Sequence, residues 1–216
     1  MQQEGAIVLG TGGDNSNRSI GSFFEGAMTA GLPSDLADDA VQANIVSVGY
    51  GGPTGNMGTL TPASEISLRA TTACCTSDYL RHQFFAGVLS PISSSSSTLD
   101  MEDATWIVRR GFSNNSCLSL ESKNYPGYYL RHFNFKLFLQ PYDGSSQFAA
   151  DSTFCPVFPG MNGQGVSLRS VNFPDKYIRH FFFWGFIASE GGANPWDTTT
   201  LWRDDVSWIV SPPFAP

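Results

Sequence analysis

The sequence has no apolar run near the roughly 20 residues a helix needs to span a bilayer, and its 216 residues include only 12 lysines and arginines. The first absence excludes a membrane-spanning helix from the reading. The second, with a net charge of −7, removes the electrostatic footprint of a protein that binds nucleic acid or an anionic membrane surface. Charged residues make up only 14% of the chain, so a neutral ligand is the default expectation. No Cys-x-x-Cys or His-x-x-x-His spacing occurs, so neither a metal site nor a cofactor is expected. The opening Met1-Gln2-Gln3-Glu4-Gly5 lacks a basic n-region and is not read as a signal peptide.

What is present points to short strands. Gly (22) and Pro (13) are scattered with Ser, Thr and Asn between brief apolar pieces, a pattern of strands joined by turns. The body has an extracellular character: lysine occurs only at Lys123, Lys136 and Lys176, and glycosylation sequons begin at Asn17 and Asn114. A secreted, extracellular protein whose natural start lies further upstream is expected. Of the four cysteines, Cys74 and Cys75 are adjacent and therefore poor partners for one another, while Cys117 and Cys155 are expected to form a disulfide.

Self-comparison shows three repeats of about fifty residues. Ser67-Leu68-Arg69-Ala70 aligns with Ser119-Leu120-Glu121-Ser122 and Ser167-Leu168-Arg169-Ser170. A second block follows as Tyr79-Leu80-Arg81-His82, Tyr129-Leu130-Arg131-His132 and Tyr177-Ile178-Arg179-His180. A third runs Asp103-Ala104-Thr105-Trp106, Asp151-Ser152-Thr153-Phe154 and Asp205-Val206-Ser207-Trp208. The tyrosines stand 50 and 48 positions apart, and the aspartates 48 and 54. Each repeat predicts about four short strands, too few to bury a core alone. Three such units closed around a pseudo-threefold axis leave no open sheet edge. The Ser93–Ser97 run is read as a flexible loop without function.

These blocks, with Ile66-Ser67-Leu68-Arg69-Ala70-Thr71-Thr72-Ala73-Cys74-Cys75, resemble a family 42 carbohydrate-binding module. That module is the arabinose-binding β-trefoil of fungal family 54 α-L-arabinofuranosidases. The resemblance implies an all-β chain with a trefoil over 62–216, a linker over 52–61 and, over 1–51, terminal strands of a catalytic β-sandwich. It implies a monomer that binds arabinose-substituted plant polysaccharides such as arabinoxylan or arabinan.

All three histidines, His82, His132 and His180, occupy one repeat position, and each is followed by an equivalent aspartate, Asp103, Asp151 or Asp205. A carboxylate can accept from two neighbouring sugar hydroxyls, an imidazole N–H can donate, and an aromatic face covers the apolar side of the ring. The bland alternative makes the aspartates turn caps and Arg81, Arg131 and Arg179 structural ion-pair partners. Two positions after the histidine, where the resemblance places an amide in binding repeats, stands Asn134 in the second repeat, but Phe84 and Phe182 in the others. The expected ranking is second repeat, then third, then first. A lectin-like or protein-binding trefoil without an enzymatic role is the rival reading.

Residues 1–50 lie outside the repeat. Gly12-Gly13-Asp14-Asn15-Ser16-Asn17 and Ala40-Val41-Gln42-Ala43-Asn44-Ile45-Val46 resemble the end of the family 54 catalytic sandwich, which makes Asp14 the match for its general acid/base. Read from residues alone, Asp14 is equally a turn residue in an Asn/Gly/Ser loop. Retaining glycosidases need two carboxyl groups about 5 Å apart. The family's nucleophile has no counterpart here, so the chain by itself is expected to be inactive.

Overall fold

The computed structural model describes residues 60–215, all within the unit Gly52–Pro216. The segment that carries Asp14, the sequon at Asn17 and the expected sandwich strands lies outside the described residues.

Twelve strands join in one sheet. The first repeat contributes β1 (Glu65–Ala70), β2 (Asp78–Gln83), β3 (Ala86–Pro91) and β4 (Trp106–Arg110). The second contributes β5 (Leu118–Ser122), β6 (Tyr128–Phe133), β7 (Lys136–Pro141) and β8 (Phe154–Val157), and the third β9 (Ser167–Ser170), β10 (Tyr177–Phe181), β11 (Trp184–Ala188) and β12 (Trp208–Ser211). Strands β1, β4, β5, β8, β9 and β12 form a ring: each pairs antiparallel with the next, and a bridge between Val166 and Trp208 closes it. The hairpins β2–β3, β6–β7 and β10–β11 cap one end, where β3, β7 and β11 pair with one another. A six-stranded ring capped by three hairpins is a β-trefoil, as the repeats predict.

The threefold pattern carries through the interior. Leu68, Leu120 and Leu168 make one buried set, Leu80, Leu130 and Ile178 a second, and Trp106, Phe154 and Trp208 a third. Trp106 and Trp208 donate their indole N–H to the carbonyls of Leu80 and Ile178, so the third block is tied to the second within its own repeat. At the hairpin cap the equivalent positions Gly87, Leu137 and Gly185 meet. A Cβ on Gly87 would lie 2.7 Å from Leu137 Cβ, and one on Gly185 would lie 2.9 Å from Leu137 Cδ1. One leucine therefore fills space that three side chains could not share.

Each hairpin turns through two residues with positive φ: Phe84-Phe85, Asn134-Phe135 and Phe182-Phe183. The carbonyl of the second turn residue accepts from the next hairpin, Phe85 from Leu139 N–H, Phe135 from Ile187 N–H and Phe183 from Leu89 N–H. The left-handed turns thus bind the three hairpins to one another.

Three findings differ from the sequence reading. Short helices α1 (Thr98–Asp103), α2 (Ser146–Asp151) and α3 (Trp202–Asp205) precede the fourth strand of each repeat, so each block aspartate ends a helix instead of preceding a strand at a turn. The hydroxyl two residues later terminates that helix: Thr105, Thr153 and Ser207 donate to the carbonyls of Met101, Ala149 and Arg203. The serine run is not featureless, since Ser97 caps α1 by accepting from Asp100 N–H. Cys74 and Cys75 bridge each other, alongside the expected Cys117–Cys155 disulfide. Consecutive turns, closed by Cys75 N–H to Thr72 O and Asp78 N–H to Cys75 O, fold the backbone so that the adjacent thiols meet. Among the described residues no helix is long and apolar enough to cross a membrane, and no group of residues could hold a metal ion.

Overpacking at the cap is the most direct test of this arrangement. Gly87→Ala is expected to lower stability by about 1–3 kcal/mol, because the Cβ of Leu137 belongs to its backbone and cannot swing aside. Urea denaturation of the two proteins measures it, and pairing Gly87→Ala with Leu137→Gly, which removes the opposing Cβ, should cost less than the sum of the two single losses.

Candidate functional site

In every repeat the second block and the end of the short helix converge on one buried carboxylate. Arg81 donates to Asp103 at 2.6 Å, Arg131 to Asp151 at 2.5 Å and Arg179 to Asp205 at 2.7 Å, each through Nη2 to Oδ2. The arginine curls back along its strand: Nε of Arg81 and of Arg131 donates to the carbonyl of the following histidine. In the third repeat the guanidinium also holds the carbonyls of Trp196, Thr198 and Thr200. The arginines are therefore structural partners, as the bland reading had them, and they fix the carboxylate that the other reading wants for a ligand.

The second carboxylate oxygen faces the histidine and a residue from the following repeat. Nε2 of His82 lies 3.2 Å from Asp103 Oδ1 and 3.0 Å from Asn124 Oδ1, while Asn124 Nδ2 donates to Asp103 Oδ1 at 2.7 Å. The second repeat copies this: His132 Nε2 lies 3.0 Å from Asn172 Oδ1, and Asn172 Nδ2 donates to Asp151 Oδ1 at 2.7 Å. In the third, Thr72 replaces the asparagine, its hydroxyl donating to Asp205 Oδ1 at 2.8 Å with His180 Nε2 2.9 Å away. With acceptors on the facing side in every case, each imidazole carries a proton on Nε2. Burial pulls all three histidines below their ordinary value near 6.5, against the attraction of the neighbouring aspartate.

Sequence reasoning paired each histidine correctly with its aspartate but missed Asn124, Asn172 and Thr72. These stand five positions after the serine of the first block, so their equivalence was visible, yet a repeat treated as a closed unit gives no reason to look to its neighbour. It also missed Gln147, whose amide donates to Asp151 Oδ1 at 2.8 Å from one turn earlier on α2.

In the second repeat these groups floor a cavity of about 250 Å³ lined by Arg131, His132, Asn134, Gln147, Asp151 and three phenylalanines, Phe133, Phe135 and Phe173. That is smaller than the few hundred Å³ or more of drug-sized sites and suits a single small polar ring. The amide at Asn134 lines the cavity, as its position after His132 implied. In the first repeat Phe85 and Tyr125 stack edge-on, 5.1 Å apart, at positions equivalent to Phe135 and Phe173. The three sites share a polar floor completed by the next repeat; the first and second add aromatic walls, and the third has Ala73 where they carry Tyr125 and Phe173.

Two predictions follow from the buried charges. Asp151→Ala leaves Arg131 buried and unpaired and is expected to cost about 3–5 kcal/mol in urea denaturation, whereas Asp151→Asn keeps the shape and a hydrogen-bonding oxygen and costs less. The histidines bind protons more readily when unfolded than when folded. Their contribution to stability is complete above about pH 6.5 and declines as pH falls below that toward the folded values. Denaturation midpoints at pH 7.5 and 5.5 should therefore fall with acid, and ring resonances should titrate below 6.5.

Comparison with known proteins agrees with this architecture. The family model described as alpha-L-arabinofuranosidase B (ABFB) domain matches residues 68–210, and that described as alpha-L-arabinofuranosidase B, catalytic, matches residues 1–51. The chain is 49% identical over 216 residues to a probable alpha-L-arabinofuranosidase B of Aspergillus clavatus and 50% identical to an alpha-L-arabinofuranosidase of Hypocrea jecorina. All of this chain is covered in both matches, but it spans only 42% and 43% of those proteins. Among solved structures, an arabinofuranosidase complexed with arabinofuranosyl-alpha-1,2-xylobiose superposes with a TM-score of 0.71 at 38% identity, covering 87% of this chain and 39% of that one. A GH54 α-L-arabinofuranosidase soaked with a cyclic sulfate inhibitor gives 0.70 at the same identity. With an ABFB domain over most of its length and full-length matches near 50% identity, the chain belongs to the alpha-L-arabinofuranosidase B family.

Proposed function

We propose that the trefoil binds arabinofuranosyl side chains of plant polysaccharides such as arabinoxylan or arabinan, and that the chain is the C-terminal portion of a secreted, monomeric α-L-arabinofuranosidase. The observation that carries this reading is the carboxylate of Asp151, fixed by Arg131 and placed with His132, Asn134 and Gln147 in a sugar-sized cavity walled by phenylalanines. An ionised carboxylate has room for about four hydrogen bonds; Arg131, Asn172 and Gln147 supply three, which leaves Asp151 able to accept from about one hydroxyl of the ring. The aromatic walls suit the apolar C–H side of the ring. His82 with Asp103 and His180 with Asp205 supply the corresponding contacts in the other repeats.

A single shallow site of this kind is weak, on the order of millimolar, or about −4 kcal/mol. Sites repeated around one module gain by engaging several branches of the same polymer. The module would thereby hold a hydrolase near its substrate. In the intact enzyme Asp14 would serve as the general acid/base. The nucleophile would come from the part of the protein upstream of this sequence, so the 216-residue chain alone should release no arabinose from a synthetic arabinofuranoside. Extracellular residence is supported by the Cys117–Cys155 and Cys74–Cys75 disulfides and by the exposed sequon at Asn114.

Depletion by insoluble arabinoxylan, against debranched xylan, tests the proposal for wild type and Asp151→Asn. Selective retention on the branched polymer, weakened by about 1–3 kcal/mol per site in the variant, is the expected result. Equal retention on both polymers would show that the trefoil serves something other than arabinose.

A further inference from the structure

The rims of the three sites differ in a coordinated way. The second carries two amides that line its cavity, Asn134 at the hairpin turn and Gln147 on α2. Counting from the block histidine, Asn134 corresponds to Phe84 and Phe182. Counting back four residues from the block aspartate, Gln147 corresponds to Leu99 and Leu201. Both amides are thus replaced by large apolar residues in the first repeat, and both again in the third. None of the four is spent on the core. Phe84 is 93% exposed, Phe182 78%, Leu99 58% and Leu201 55%.

The turns make this choice conspicuous. Phe84 and Phe182 hold φ of 49° and 47°, the same left-handed conformation as Asn134 at 49°. Asn and Gly adopt that conformation at little cost in two-residue hairpins, and a bulky aromatic residue does not. Among the described residues, the ring of Phe84 makes no ring contact that would offset the strain, and that of Phe182 meets only the neighbouring Phe181, ring centroids 4.6 Å apart. Beneath these rims the polar floor is kept intact, Arg81–Asp103–His82–Asn124 in the first repeat and Arg179–Asp205–His180–Thr72 in the third.

Resting on the arabinofuranose reading, we infer that the first and third sites recognise a pentofuranosyl unit carrying an aromatic substituent, while the second recognises the unsubstituted sugar. A polar floor satisfies the ring hydroxyls. A Phe–Leu rim offers no hydrogen bond to a bare sugar, whose hydroxyls it would desolvate without compensation, but it covers an aromatic group well. The amide rim of the second site has the opposite preference. One module would then grip plain and aromatic-substituted branches of the same polymer.

The experiment is an NMR titration of the full 216-residue chain, read site by site on the ring resonances of His82, His132 and His180. The probes are methyl α-L-arabinofuranoside, its aryl ester at the primary hydroxyl, and an aryl α-L-arabinofuranoside. The last two arms distinguish an acyl group from an aglycon as the source of the aromatic ring. The first and third sites should bind one of the aromatic probes about ten-fold more tightly than the methyl glycoside, and the second should not. Phe84→Asn with Leu99→Gln, which relieves the turn, should erase the preference at His82 alone. Asn134→Phe with Gln147→Leu should confer it at His132. The same preference at all three rings, or one unmoved by exchanging the rims, overturns the inference while leaving arabinofuranose binding in place. Absence of any shift with any probe sinks both.

Discussion

The buried arginine–aspartate pair recurring in each repeat is the interaction on which this molecule turns. It joins a hairpin of the cap to the short helix leading into the ring, and so couples the two layers of the trefoil. A guanidinium and a carboxylate this deeply buried are tolerable only as a bonded pair with their remaining hydrogen bonds satisfied. The structure meets that demand with the histidine carbonyl on one side and with asparagine, glutamine or threonine on the other. The same satisfaction holds the second carboxylate oxygen rigid at the bottom of a pocket. Under the proposed function, one group would serve both stability and recognition.

Closure of the ring makes the repeats interdependent. Each site borrows its last polar residue from the repeat that follows, and the third borrows Thr72 from the first. This loan is possible only because β12 pairs with β1 and brings the two ends of the module together. A single repeat could present the histidine and the aspartate but would lack the residue that bridges them. The threefold symmetry is also broken where space forbids it, at the cap, where Gly87 and Gly185 yield to Leu137. Symmetry sets the plan, and local volume sets the exceptions.

Much of this was legible beforehand because repetition aligns residues by role. The block spacing is enough to foretell a closed threefold all-β architecture and the grouping of His82, His132 and His180 with Asp103, Asp151 and Asp205, while the Cys117–Cys155 bridge is expected from setting the adjacent cysteines aside. The short helices α1–α3 were not legible, since six or fewer residues leave no periodicity to detect and Ser97 is hidden among other serines. Nor was the Cys74–Cys75 bridge, which depends on a chain of tight turns that spacing does not report.

What the sequence determined by itself is therefore the kind of fold and the residue types that recur at equivalent positions of the three repeats, because these depend on local pattern and on its threefold recurrence. What only the tertiary structure decided is which groups share a site. The contributions of Asn124, Asn172 and Thr72 and the proton position on each histidine arise from contacts between residues 21 to 133 positions apart. Such contacts follow from ring closure and hairpin docking, and no local run of residues carries that information.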